Sequence, residues 1–206
     1  MSARELAITG AWEITPVVHS DARGSFYEWF TDPEFTAIAG HRLDLRQANC
    51  SVSKAGVVRG VHFAQLPPSQ AKYVSCTYGA VVDVVVDIRV GSPTYGTWDA
   101  VTLDDKTHRS VYLSEGLGHA FLALQDGSTV TYLCSAGYDP AREHTIDPLD
   151  PALGIDWRSW LSESPADELI LSDRDRAAPT LEQARAAGLL PTWEQAQAFV
   201  EELRRG

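Results

Sequence analysis

A short stretch in the first third of the chain carries an arginine, a histidine and a lysine that could act together on one anionic ligand. It covers residues 56–72 and reads GVVRGVHFAQLPPSQAK. Arg59 and His62 lie on a predicted strand, a Pro-Pro turn follows, and Lys72 begins the next strand. Such a hairpin holds two cations and a titratable base close together, which suits anion binding combined with proton transfer. A hairpin with a buried, hydrogen-bonded histidine and two solvated cations is the alternative, and it is the more common arrangement for a lone histidine.

These residues must be positioned by β-strands, because the middle of the chain consists of short apolar runs separated by turn signals. In Val81–Arg89 (VVDVVVDIR), apolar residues occupy both alternating faces, which predicts a strand that is covered on both sides. Asp83 in this strand is an acid in an apolar setting and needs a partner or a function. Many short strands at this spacing predict a sandwich or barrel. The other predicted strands are Trp12–Val18, Ser25–Phe30, Leu43–Ser53, Val57–Phe63, Lys72–Thr77, Trp98–Leu103, Val111–Leu113, Ala120–Leu124 and Thr129–Ser135.

The last third of the chain differs from the middle in composition and periodicity. Residues 140–180 are rich in Pro, Asp and Glu without periodicity, which predicts structured loops that cover the barrel. Two capping boxes, each a threonine followed three residues later by a glutamine, begin at Thr180 and Thr192. They predict two helices in residues 181–206, and Gly188 can end the first of them.

The composition limits the kinds of partner. A chain of 206 residues with 44% hydrophobic residues fits one domain with a sizeable core. The formal net charge of -11 argues against nucleic acid and against an anionic membrane surface, although a local arginine cluster can still bind a phosphorylated ligand. The chain has no membrane-length apolar segment, and its N-terminus lacks a leader-like apolar stretch, so a cytoplasmic protein is expected. Cys50, Cys76 and Cys134 lie in apolar, strand-like runs and are predicted to be three buried free thiols.

Seven short motifs, taken in order along the chain, resemble the dTDP-4-dehydrorhamnose 3,5-epimerase family. The resemblance extends from about Ala11 to the C-terminal helices. Each motif is a weak signal by itself, and seven in the right order form a strong one. The motifs are DARGSFYEWF, RQANCSV, RGVHFAQLPPSQAK, VVDVVVDIRVGSPTYGTW, SEGLGHAF, VTYLCSAGYDPAREH and LSDRDRAAP.

The resemblance implies an all-β fold, a jelly-roll, cupin-like double-sheet barrel over residues 11–139. It also implies a homodimer that acts on a dTDP-sugar without any cofactor. By the same resemblance, His62 is the general base, Asp175 orients it, Tyr132 is the general acid on the opposite face of the sugar, and Lys72 stabilises the charge on the ketone oxygen. Tyr138 matches an aromatic residue that stacks on thymine. The residues predicted to bind substrate are Arg23, Glu28, Gln47, Asn49, Arg59, Asp83, His119, Tyr138, Glu143 and Arg174.

The reaction accounts for these residue types on chemical grounds as well. Epimerisation next to a ketone removes a proton, holds an enolate and returns a proton to the other face of the ring. A neutral histidine with a pKa of about 6.5 suits the first step, and a tyrosine can donate a proton but is a poor base at neutral pH. A lysine beside the oxygen stabilises the enolate. Strict alternation places Arg59 and His62 on opposite faces of a strand, so a bulge at Gly60 is expected.

Three alternatives remain beside the predicted 3,5-epimerase. Many jelly-roll barrels bind a metal ion between histidines, but the six histidines here form no HxH or HxxxH pair, so the site is expected to be metal-free. A single-carbon epimerase of the same family, serving an antibiotic deoxysugar pathway, would keep the same catalytic residues. A barrel that only binds a nucleotide sugar would need the arginines but not an acid–base pair, and the presence of both His62 and Tyr132 speaks against it.

Overall fold

Thirteen β-strands form two facing antiparallel sheets and one separate hairpin in the computed structural model, which describes residues 1–206. Five helices follow or interrupt them. The strands are β1 (Ser2–Glu5), β2 (Ala11–Thr15), β3 (Val18–Asp21), β4 (Gly24–Tyr27), β5 (Gln47–Ser53), β6 (Val58–Ala64), β7 (Lys72–Tyr78), β8 (Ala80–Val86), β9 (Trp98–Asp104), β10 (Ser110–Leu113), β11 (Gly118–Ala123), β12 (Ser128–Cys134) and β13 (Glu143–Thr145). The helices are α1 (Asp32–Ala39), α2 (Trp157–Leu161), α3 (Asp173–Arg176), α4 (Leu181–Ala186) and α5 (Trp193–Arg205).

The two large sheets have the crossed strand order of a jelly roll. The larger sheet has the order β1-β2-β10-β7-β12-β5, and the smaller has the order β13-β6-β11-β8-β9. All pairs within them are antiparallel. This arrangement confirms the predicted all-β, double-sheet class. The hairpin of β3 and β4 pairs with neither sheet.

Strand β8 lies inside the smaller sheet and is buried on both faces, as its sequence predicts. Val82 and Val84 face outward into a hydrophobic cluster that α2 and α4 cover. Val81 and Val85 face inward into a second cluster, which fills one half of the space between the two sheets. The remainder of this space holds polar and charged side chains, among them those of Asp83 and Lys72, and is called the polar half of the barrel.

Helix α1 covers the outer face of the larger sheet and was not predicted from the sequence. Its Phe35 is buried beside Tyr73 and Tyr112, with ring centroids 6.3 and 4.8 Å away. A proline in its first turn and Gly40 at its C-terminus, with φ of 80°, are the local signals that define it. The helix has only eight residues, which made its periodicity too short to recognise.

The prediction of three buried thiols is wrong for one of them. Cys76 and Cys134 are buried, but Cys50 is exposed. Strand β5 forms the edge of the larger sheet, and the residues on its outer face, Ala48, Cys50 and Val52, are not covered by any helix. An apolar run therefore did not imply burial on both faces of this strand.

Both capping boxes predicted near the C-terminus are formed. The Thr180 and Thr192 side chains accept hydrogen bonds from the backbone N–H groups of Gln183 and Gln195, and each glutamine reaches back to its threonine. Residues 140–180 contain β13, α2 and α3 in addition to loops. No helix in the chain is long and apolar enough to cross a lipid bilayer.

Candidate active site

A β-bulge in β6 brings Arg59 and His62 to the same face of the strand. His62 pairs with His119 on β11, and Arg59 pairs with Phe121, so two residues of β6 lie opposite Ala120 alone. Gly60 has φ of 115°, and a Cβ at this position would collide with the carbonyl oxygen of His119. Only glycine therefore allows this close approach. The bulge predicted at Gly60 is confirmed.

His62 forms a dyad with Asp175, a residue that is 113 positions away in the sequence. Its Nε2 lies 2.8 Å from Asp175 Oδ1. Burial works to raise the pKa of Asp175, but hydrogen bonds from His62, Ser172 and Thr145 outweigh it and hold the pKa below its usual value. An ionised carboxylate can only accept, so Nε2 carries the hydrogen and Nδ1 carries the free lone pair. The geometry therefore makes Nδ1 the basic atom of His62.

The position of Asp175 is set by the start of helix α3. Ser172 is the N-cap of this short helix, and its hydroxyl accepts a hydrogen bond from the Asp175 backbone N–H at 3.1 Å. The Asp175 side chain is 5% exposed, whereas that of His62 is 35% exposed. Partial burial lowers the pKa of His62, the bond to Asp175 opposes this effect, and the positive charge of Lys72 adds to it. His62 is therefore neutral and competent as a base at neutral pH.

A second histidine–aspartate pair lies beside the first. His119 is the cross-strand neighbour of His62, and its Nε2 is 2.7 Å from Asp83 Oδ2. Both residues are buried. Asp83 thus has the partner that its apolar strand required, and the pair forms the inner end of the polar half of the barrel.

Lys72 and Tyr132 lie on the opposite wall, on β7 and β12 of the larger sheet. Lys72 Nζ is 6.0 Å from the centroid of the Tyr132 ring. The Lys72 ammonium makes no hydrogen bond or ion pair, although the residue is only 8% exposed. Burial lowers its pKa, and the charges of Glu143 and Asp83 oppose this effect. Burial also raises the pKa of the Tyr132 hydroxyl, which therefore keeps its proton at neutral pH.

A chain of amide hydrogen bonds runs along β5 beside Tyr132. The backbone N–H of Tyr138 donates to Gln47 Oε1 at 2.8 Å, and Gln47 Nε2 donates to Asn49 Oδ1 at 2.8 Å. Asn49 is the cross-strand neighbour of Tyr132 and donates through Nδ2 to Cys134 Sγ at 3.6 Å. These bonds connect the loop that carries Tyr138 to the strand that carries Tyr132.

Two arginine side chains lie beside these residues. Arg59 donates to Ser53 Oγ at 3.1 Å, and its charge lies close enough to Tyr132 to oppose the rise in that residue's pKa. Arg174 donates to the backbone carbonyl oxygen of Glu143 at 2.9 Å. The site therefore has two walls with distinct chemistry, and hydrogen bonds to Ser53 and to the Glu143 backbone hold its two arginines. Across the chain, no group of three or more His, Cys, Asp or Glu residues is arranged to hold a metal ion.

A family model describing dTDP-4-dehydrorhamnose 3,5-epimerase matches residues 5–183. The chain belongs to the dTDP-4-dehydrorhamnose 3,5-epimerase family. It is 69% identical over 205 residues to a dTDP-4-dehydrorhamnose 3,5-epimerase of Mycolicibacterium smegmatis, covering 100% of this chain and 98% of the relative. It is 64% identical to the enzyme of that name from Mycobacterium tuberculosis, covering 99% of both chains. These matches confirm the predicted family, the predicted function of a 3,5-epimerase and the assignment to the isomerases.

Solved structures of epimerases have the same fold. An epimerase of Mycobacterium tuberculosis superposes with a TM-score of 0.95 at 63% identity, covering 98% of this chain and 100% of that one. A 3′-monoepimerase of Streptomyces bikiniensis in complex with dTDP-quinovose has a TM-score of 0.91 at 49% identity, covering 98% and 99%. A 3,5-epimerase of Legionella pneumophila in complex with dTDP-4-keto-L-rhamnose has a TM-score of 0.84 at 36% identity, covering 93% and 98%. The likeness to these structures confirms the predicted jelly-roll, cupin-like fold.

Two of the predicted substrate-binding residues lie apart from the other site residues of this epimerase. Arg23 lies at the turn of the β3–β4 hairpin, its side chain is 91% exposed, and it pairs with Asp21. Glu28 follows β4 and is exposed, and neither it nor Arg23 bonds to another predicted site residue within the chain. The remaining predicted residues come together around the polar half of the barrel, with Tyr138 at its rim. The fold therefore brings most of the predicted residues together and leaves the two hairpin residues apart from them.

Three residues around the epimerase cavity were not predicted from the sequence. Thr145 bonds to Asp175, Cys134 accepts the bond from Asn49, and Ser53 accepts the bond from Arg59. Small hydroxyl and thiol side chains are common on strands, so their types carry no signal. These three residues are recognised only by their hydrogen-bond partners, and the fold decides which residues become partners.

Proposed function

We propose that this epimerase converts dTDP-4-keto-6-deoxy-D-glucose to dTDP-4-keto-L-rhamnose by inverting C3 and C5, with His62 as the base and Tyr132 as the acid. The observation that carries this proposal is the placement of the two residues on the two facing sheets of the barrel. His62 lies on β6 of the smaller sheet, and Tyr132 lies on β12 of the larger sheet. A sugar ring held between the sheets presents one face to each residue, as inversion of a carbon requires.

The proton transfers follow from the protonation states of the two side chains. His62 Nδ1 accepts the proton from the carbon next to the ketone, and the C–H electron pair moves into the enolate, whose charge lies on the ketone oxygen. The imidazolium that forms is stabilised by Asp175 at Nε2. The Tyr132 hydroxyl then donates its proton to the same carbon from the opposite face. Solvent reprotonates the tyrosinate and takes the proton from His62. The second carbon beside the ketone undergoes the same sequence of steps.

Lys72 supplies the positive charge for the enolate. Its ammonium lies on the same wall as Tyr132 and is not neutralised by a bonded carboxylate. A fixed cation in a partly desolvated cavity stabilises the developing oxyanion more than it would in water. His119, fixed by Asp83, adds a second polar group near His62.

The mouth of the cavity is proposed to bind the nucleotide diphosphate. Arg59 and Arg174 provide the planar cations suited to phosphate oxygens. Gln47, Asn49 and Glu143 line the same opening. Tyr138 is 58% exposed at the rim, where its ring is free to stack on a base.

The β3–β4 hairpin supports the proposal of a homodimer in which each chain completes its partner's site. An isolated two-stranded hairpin is marginally stable in water. This one exposes Phe26 (67%) and Val18, with the exposed Val17 directly before it, and it contacts the rest of the chain through Tyr27, whose ring stacks on His108 at 4.0 Å. Arg23 and Glu28 would then reach the nucleotide end of the site in the second chain.

Subunit mixing tests this placement of Arg23. The Arg23→Ala variant is expected to raise KM by roughly 10-fold or more, because a charged hydrogen bond to phosphate is lost. When Arg23→Ala and His62→Asn chains are coexpressed, about a quarter of the sites regain both residues if Arg23 acts in the partner's site. Activity at low substrate concentration should therefore recover well above that of either variant alone. An absence of recovery, with mixed dimers verified by differential tags, would place Arg23 in its own chain's site.

The product itself tests the proposed function. Proton NMR of the sugar, trapped by reduction of the ketone, is expected to show inversion at both C3 and C5. Solvent deuterium should enter both carbons. The relative from Streptomyces bikiniensis is a 3′-monoepimerase at 49% identity. A product of this chain inverted at one carbon only would therefore overturn the double-epimerase proposal and establish the single-carbon alternative.

A further inference from the structure

Asp175 Oδ1 accepts hydrogen bonds from two side chains on neighbouring strands. His62 Nε2 lies 2.8 Å away, and the Thr145 hydroxyl lies 3.3 Å away. Thr145 on β13 and His62 on β6 are directly paired across the two strands. The two side chains therefore project from the same side of the sheet and meet at one carboxylate oxygen.

We propose that Thr145 is a positioning residue for the epimerisation, acting on His62 through Asp175. This inference rests on the proposed roles of His62 and Asp175. By donating to the oxygen that His62 also uses, the threonine fixes the rotation of the carboxylate and hence the orientation of the imidazole ring. The correct orientation directs Nδ1 into the cavity.

The carboxylate needs such a support because its own helix is short. Helix α3 has four residues, and the torsion that rotates a carboxylate is broad. Strand β13 holds helix α3 at two points. Arg174 donates to the Glu143 carbonyl oxygen, and Asp175 accepts from Thr145. The dyad is therefore attached to two adjacent strands, to β6 through His62 and to β13 through the bonds that hold Asp175 and its helix.

The same hydrogen bond also affects the pKa values of the two groups in the dyad. Burial raises the pKa of Asp175, and the bond from Thr145 is one of the interactions that lower it again. A carboxylate with one donor fewer interacts more strongly with the imidazolium form of His62. Removal of the hydroxyl is therefore expected to raise the pKa of His62 as well as to loosen its orientation.

The Thr145→Val variant tests the proposal, with Thr145→Ser as its matched control. Valine keeps the β-branched shape of threonine and suits a strand, so only the hydroxyl is lost. Thr145→Val is expected to lower kcat by roughly 10-fold or more, the size expected for a lost hydrogen bond to a charged group, with little change in KM. The acid limb of its kcat/KM profile should move to higher pH. Thr145→Ser should keep most of kcat and the wild-type pH profile.

Several outcomes would overturn the inference. Wild-type kcat and an unshifted pH profile in Thr145→Val would show that the hydroxyl has no role. If the valine variant does not fold, as judged by circular dichroism, Thr145→Ser and Thr145→Ala replace it. Equal activity in these two variants would also show that the hydroxyl has no role. The His62→Asn and Asp175→Asn variants separate this inference from the proposed function. If both are inactive while Thr145→Val is normal, only the role of Thr145 fails. If both are active, the proposed base itself is wrong.

Discussion

The His62→Asn variant is expected to lose solvent deuterium exchange at both C3 and C5 while it continues to bind dTDP. Asparagine fills a similar space but has no basic nitrogen, so neither carbon can be deprotonated. Loss of a general base lowers the rate by roughly 10²–10⁴-fold. In the proposed site, nucleotide binding depends on Arg59, Arg174 and Tyr138, none of which is changed. The measurements are NMR of the sugar in deuterium oxide and calorimetric titration with dTDP.

The Asp175→Asn variant provides a graded control for this result. The imidazole remains, but its tautomer is no longer fixed by an ionised acceptor, so the loss of activity should be severe yet smaller than in His62→Asn. Wild-type kcat/KM should fall on the acid side as His62 becomes protonated. Because burial lowers the pKa of His62, this fall is expected below about pH 6.5, the ordinary value for histidine. Exchange at a wild-type rate in His62→Asn would remove His62 from the mechanism.

The Tyr132→Phe variant is expected to separate proton removal from inversion. The change removes the proposed acid on the wall opposite His62, so the inverted product should form roughly 10²–10⁴-fold more slowly. His62 is unchanged, so abstraction and return of the proton on its own face should persist, and deuterium should still enter at C5. The measurement follows deuterium content and configuration at each carbon over time.

Two results would contradict the role of Tyr132. A wild-type yield of inverted product in Tyr132→Phe would show that another group donates the proton. Complete loss of exchange, with dTDP binding intact, would show that Tyr132 acts before or during proton abstraction. Phenylalanine keeps the ring that packs against the inter-sheet cluster, so the barrel should remain folded in either case.

The sequence determined the types of element and supplied the candidate residues for the chemistry. The alternation in β8 predicted a strand buried on both faces, and the two threonine capping boxes predicted α4 and α5, because these patterns depend on local periodicity and local hydrogen bonds. The motif around His62 supplied the proposed base. Its combination with a glycine also predicted the bulge, since only a break in alternation lets Arg59 and His62 face one cavity.

The tertiary structure decided how these residues meet. Asp175 reaches His62 across 113 positions, and the pairing of β13 with β6 brings Thr145 to the same carboxylate. The opposite placement of His62 and Tyr132 follows from the assignment of β6 and β12 to different sheets. Strand pairing and sheet membership are set by packing between segments distant in sequence, where no local pattern records the partner. The exposed Cys50 and the outlying β3–β4 hairpin have the same origin, because a strand's own residues do not show whether another layer covers it.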